Sequence, residues 1–204
     1  MKYDRPYILD TNIVISLAKY DKVRDYKKLA ASDNMNYYYA RSIEKLYNMI
    51  ERGEIIAEIT PTILNEIQQG TKRFGPLVED YIKNNKKIKL HVFSQDEIRL
   101  AYELRNDYFN TQTSSGEYAF HYDPNKFNGM NDAFIMAQAS ILGYDVITYD
   151  KHFTTRVFTI REVNKMFKQK HTRSEMSNRG YDRMDKIQIS KPTAFVEMHP
   201  NLGK

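Results

Sequence analysis

The chain has 204 residues, a length that suits one domain with an appendage, and its 41% apolar content is enough to bury a core. It contains no cysteine, which excludes a disulfide framework and a thiolate metal site. The net charge is +5 and is unevenly placed: residues 1–164 balance acid against base, while residues 165–204 are basic.

A basic tail on a neutral body suits contact with nucleic acid, where phosphate neutralisation dominates affinity; a solvated tail has the same composition. The opening "MKYDRPYILD" lacks the apolar run of a signal peptide, and no window resembles a membrane span. The expectation is a cytoplasmic protein with no membrane partner.

In chain order, "YILDTNIVISLA" starts as a buried strand and predicts a helix after Asn12. "SIEKLYNMIERGE" carries Ile43, Leu46, Tyr47 and Ile50 at helical spacing, with Gly53 as a stop. "IIAEIT" reads as a second strand. "TPTILNEIQQG" reads as a helix, with Thr60 as N-cap, Pro61 at the first helical position and Gly70 past the end. "GPLVEDYIKNNKK" predicts a further helix and "IKLHVF" a third strand. In "SQDEIRLAYELRNDYF", Ser94 and Glu97 form a capping-box pair at a helix start. Residues 111–131 are polar and turn-rich and read as a long loop, of the kind that is often functional or disordered. "NDAFIMAQASILGY" restores a helix, and "DVITYD" and "RVFTI" read as strands. This alternation predicts an α/β fold in three layers with a mainly parallel sheet.

Parallel α/β sheets bind ligands at the carboxyl ends of their strands. Asp10 ends the first strand and Asp150 ends "VITYD". Asp132 opens the helix before that strand, and Glu66 lies in the helix after strand two. The topology can bring these four carboxylates to one edge. Alone, Asp10 reads equally as a helix cap, and Asp132 suits a helix first turn through the macrodipole. Gathered carboxylates repel one another, and a hard divalent cation with oxygen ligands relieves that repulsion. Such a cation suits phosphoryl chemistry.

"YILDTNIVISL", "TPTILNEI" and "NDAFIMAQASILGYDVITYDKHF" together resemble the successive motifs of the PIN-domain family of metal-dependent ribonucleases, which includes VapC-like toxins. The likeness runs from about residue 5 to residue 162. It implies a three-layer α/β/α fold whose acidic residues bind Mg²⁺ or Mn²⁺ at one end of the sheet. Carried over by position, the acidic residues fall on Asp10, Glu66, Asp132 and Asp150. Thr11 and Thr148 match hydroxyl positions beside two of them, and Asn12 is common there. The expected organisation is a PIN-like domain over residues 1–164 and a basic extension over 165–204. The extension, the long loop and extra material around residues 20–42 depart from the compact toxins.

The expected function is metal-dependent hydrolysis of RNA, as in the toxin of a toxin–antitoxin pair. The alternative is a non-catalytic RNA-binding or assembly module on the same fold. Expected partners are RNA, an antitoxin protein and a second copy of the chain. Lys165, Lys168, Lys170 and Arg173 are the candidate RNA contacts of the tail. In the long loop, Glu117 and Asp123 are alternatives to Glu66. The five histidines show no metal-ligand spacing. The run Tyr37, Tyr38, Tyr39 can stack bases, but among 16 tyrosines an ordinary core-edge role is the reading preferred. "TAFVEM", after Pro192, reads as a β-prone edge segment. Walker, dinucleotide and nucleophile-elbow motifs are absent.

Overall fold

In a computed structural model, residues 6–70, 72–105, 130–150, 168, 172–178 and 187–201 are described. Five strands form one sheet: β1 (Pro6–Leu9), β2 (Ile56–Ile59), β3 (Ile88–Leu90), β4 (Asp145–Ile147) and β5 (Ile189–Ser190). Their spatial order is β3-β2-β1-β4-β5, and every pairing is parallel. Parallel neighbours cannot be joined by a hairpin, so helices carry the chain between them. The result is an α/β fold with helices flanking the sheet, a three-layer α/β/α arrangement. In β1 the residues alternate: Tyr7 and Leu9 join the main core cluster, while Ile8 faces the other side and is also fully buried. Burial on both faces is why this strand reads as an unbroken apolar run.

The chain divides into two compact units. The first comprises residues 1–91, 145–150 and 189–204, and the second residues 92–144 and 151–188. In the first unit, β1 leads into α1 (Thr11–Val23), followed by α2 (Tyr26–Ser32) and α3 (Tyr37–Glu51). Asp25 caps α2 by accepting from the Lys27 amide at 2.8 Å, and Asn36 caps α3 by accepting from the Tyr38 amide at 2.8 Å. The apolar stripe of α3 is the one its spacing predicts: Ile43, Leu46, Tyr47 and Ile50 are all buried. Cutting Leu46 back to alanine would cost about 2–5 kcal/mol. Gly53 ends the segment at φ 64°, a left-handed conformation that a side chain would strain. After β2 come α4 (Pro61–Gly70) and α5 (Gly75–Asn84).

The second unit holds α6 (Gln95–Glu103), α7 (Met130–Leu142) and α8 (Arg173–Asn178). The capping box at α6 is present in both directions. The Ser94 amide donates to the Glu97 carboxylate at 2.7 Å, and the Glu97 amide donates to the Ser94 hydroxyl at 3.3 Å. Helices α6 and α7 pack together, and Phe93 stacks on Phe134 with centroids 4.5 Å apart.

The chain returns to the first unit through β5, which adds to β4 with Val146 opposite Ile189 and Ile147 opposite Ser190. The β-prone "TAFVEM" is not a strand. It forms α9 (Pro192–Met198), with Pro192 in the first turn. Proline's fixed φ suits that position, and the segment buries Phe195 and Val196 on one side. Phe195 meets Tyr7 edge-on at 4.9 Å. The expected strand "RVFTI" and the expected loop at 111–131, apart from Met130 and Asn131 in α7, lie outside the described residues.

Candidate functional site

The order of the strands fixes where a site can be built. From β1 the chain steps outward through β2 to β3, then returns beside β1 to form β4 and continues to β5. The direction of winding therefore reverses between β1 and β4. Ligand crevices open at such switch points, beyond the carboxyl ends of the strands. Asp10 follows β1 there, and Thr148 and Asp150 follow β4. The Asp10 amide donates to the Ile147 carbonyl at 3.1 Å, so the two strand ends are tied together.

Asp10 is both a helix cap and a buried carboxylate. It has extended backbone angles, and its carbonyl accepts the first helical bonds of α1, from Ile13 at 3.0 Å and Val14 at 3.1 Å. Its side chain is held on both oxygens. Oδ1 accepts from the Thr11 amide at 2.7 Å, and Oδ2 accepts from the Thr148 hydroxyl at 2.7 Å. The residue is only 6% exposed. Burial pushes its pKa from 3.8 up to about 6; the negative charges of Glu66 and Asp150 push the same way, and the bonds from Thr148 and Thr11 oppose them.

The two threonines organise the neighbours of Asp10. Thr11, buried at the start of α1, donates its hydroxyl to the Glu66 carboxylate on α4. Helix α4 begins at the carboxyl end of β2, which is how Glu66 reaches the same edge. Thr148 is fully buried, and its amide donates to the Ser190 carbonyl of β5 at 3.0 Å. Its hydroxyl accepts from the Asp150 amide at 2.9 Å while donating to Asp10. This short turn is the kind that threonine hydroxyls stabilise.

Of the expected residues, the structure brings together Asp10, Thr11, Glu66, Thr148 and Asp150 in the first unit. Asn12 is exposed, and its carbonyl accepts from the Ser16 hydroxyl at 2.8 Å. Asp132 lies in the first turn of α7, in the second unit. Lys168 and Arg173 are exposed in the second unit, whereas Lys165 and Lys170 lie outside the described residues.

Two residues beside the site had no clear signal in the sequence. Tyr39 is buried, with its hydroxyl 3.4 Å from that of Ser16. Burial pushes its pKa up to about 12, and the proximity of Tyr149 and Asp10 adds to the rise. Tyr149 stands between Thr148 and Asp150, with its ring 4.4 Å from that of Tyr39. The tyrosine run at 37–39 hinted at the first; nothing local marked the second.

The side chains around Asp10 offer oxygen donors, the kind a hard divalent cation takes. Among the described residues, no group of three or more His, Asp or Glu side chains is placed to hold a metal ion. Comparison with family models, with curated proteins and with solved structures finds no match to this chain.

Proposed function

We propose that this protein is an Mg²⁺- or Mn²⁺-dependent ribonuclease of the PIN kind, acting at the carboxyl edge of its sheet. One observation carries the reading. A buried carboxylate, Asp10, sits at the winding reversal between β1 and β4, with Glu66 and Asp150 close enough to raise its proton affinity. A cap alone needs one oxygen and no company; here both oxygens are held and two further acids approach.

Each residue has a role in this reading. Asp10, Glu66 and Asp150, all in the first unit, would hold the cation. Thr11 orients Asp10 through its amide and Glu66 through its hydroxyl. Thr148 fixes the second oxygen of Asp10 and sets the turn that presents Asp150. When bound, the cation supplies a neutralising charge for the phosphodiester and a more acidic water. The carboxylates define where the phosphate must lie, and the basic residues after 164 favour approach of a polyanion.

The test is cleavage of mixed-sequence single-stranded RNA with Mn²⁺ by the full chain and by Asp10→Asn. The expected result is cutting by the wild type and none by the variant. RNA binding without cutting, across several RNAs and metals, would instead assign the fold to a binding module.

A further inference from the structure

We infer that Tyr149 is a stacking platform for a nucleobase of single-stranded RNA, placing the neighbouring phosphate over the carboxylates. This rests on the ribonuclease reading above. It concerns a residue which that reading leaves without a role.

The geometry singles out this tyrosine. Tyr149 follows Thr148, which is fully buried and held on its amide and on its hydroxyl. The next residue, Asp150, has its amide anchored by the same hydroxyl. The backbone on both sides of Tyr149 is therefore pinned. Its own side chain turns outward and is 44% exposed. One side of the ring rests on Tyr39, at 4.4 Å and a tilt of 46°, and Tyr39 is itself buried and faces Ser16. The result is a half-supported aromatic surface whose position is set from below and from both flanks. It stands between a residue that orients Asp10 and a residue that would hold the cation.

The chemistry favours an unpaired base as the occupant. A base inside a duplex has its faces covered by its neighbours, whereas single strands offer theirs to aromatic side chains. Tyrosine supplies such a surface with few torsions to freeze. Stacking tolerates any base, so one ring placed here would set where a strand is cut more than which sequence is cut.

The experiment compares full-length wild type, Tyr149→Ala and Tyr149→Phe on a short single-stranded RNA with Mn²⁺. A second substrate has an abasic ribose beside the cleaved phosphate. Tyr149→Ala is expected to raise KM roughly 5- to 100-fold, the scale of losing one stacked base. Its kcat should change little, and Tyr149→Phe should behave as wild type. The abasic substrate should raise KM for wild type and hardly at all for Tyr149→Ala, because the two changes remove one interaction. Unchanged kinetics in Tyr149→Ala, or an equal penalty from the abasic site in both proteins, would overturn the inference and leave the nuclease reading standing. A change in self-association with unaltered RNA kinetics would also overturn it, marking Tyr149 as a protein contact. If wild type binds RNA without cutting, the same comparison is read on Kd by fluorescence anisotropy. If it neither binds nor cuts, both readings fall together.

Discussion

Helix α1 carries an acidic cluster at each end, and the two are held differently. Near its C-terminus, Asp21 is met by the Arg24 guanidinium and accepts from the Tyr47 hydroxyl at 2.7 Å. Arg24 also lies over the Tyr47 ring at 4.6 Å, and nearby Lys19 pairs with Asp33 at 2.6 Å. At the N-terminus, Asp10 accepts from an amide and a hydroxyl, and the charges of Glu66 and Asp150 raise its proton affinity. Among the described residues, no salt bridge reaches Asp10 or Glu66. The first cluster contains its own cations and serves the fold. Among the described residues, the second sets neutral donors and like charges around Asp10.

The largest expected effect breaks that contrast at its centre. Asp10→Asn should reduce Mn²⁺-dependent RNA cleavage by about 100-fold or more, the upper end of what altering a metal's surroundings costs. Asparagine can still accept from the Thr11 amide and donate to the Thr148 hydroxyl, so the fold should persist. Thermal melts should show that Mn²⁺ raises the midpoint of wild type and leaves that of the variant unmoved.

Next comes pH. The Asp10 carboxyl keeps its proton to about pH 6 when folded, against 3.8 as its ordinary value. As pH rises from about 4, the unfolded chain loses this proton first and the native state binds more protons. Stability of the metal-free protein should therefore fall through this window and level off above it, by on the order of 3 kcal/mol from this group. Urea titrations from pH 4 to 7 should show the fall in wild type and a smaller one in Asp10→Asn. Equal slopes would sink the idea that burial raises the Asp10 pKa at this end of the helix.

Thr148→Val keeps the shape and removes the hydroxyl. One oxygen of Asp10 loses its donor, and the Asp150 amide loses its acceptor. Cleavage should drop by about 10- to 100-fold, with weaker Mn²⁺ binding by calorimetry. The smallest effect belongs to the other end of the helix. Tyr47→Phe deletes one bond to Asp21, which Arg24 still compensates. It should cost about 1 kcal/mol in urea unfolding and leave cleavage untouched.

What the sequence could disclose was local. The stripe of α3, the capping box of α6 and the proline start of α4 are short-range patterns, and each appears where the spacing placed it. Helix α2 and the first turns of α3 escaped notice because "DYKKLAAS" and "NYYYA" carry little apolar periodicity. Strand β5 is only two residues long, too brief for any alternation to show. The apolar residues of "TAFVEM" suit a strand as well as a helix, and tertiary packing of Phe195 decided it. At the site, Asp10 was legible because a strand ended on it. The bond from Thr11 to Glu66 spans 55 residues, and that from Thr148 to Asp10 spans 138. Contacts so distant leave no trace in local pattern, and the pairing of Tyr39 with Tyr149 is hidden for the same reason.

Strand β5 also sets a timetable. The Thr148 amide is held by the carbonyl of Ser190, a residue made long after Asp10, Glu66 and Asp150. A nascent chain folding from its N-terminus can form α1 and the first two strands early. The bond that ties Thr148 to β5 must wait for Ser190. Thr148, which donates to Asp10, thus gains its backbone anchor only when that later segment joins the sheet.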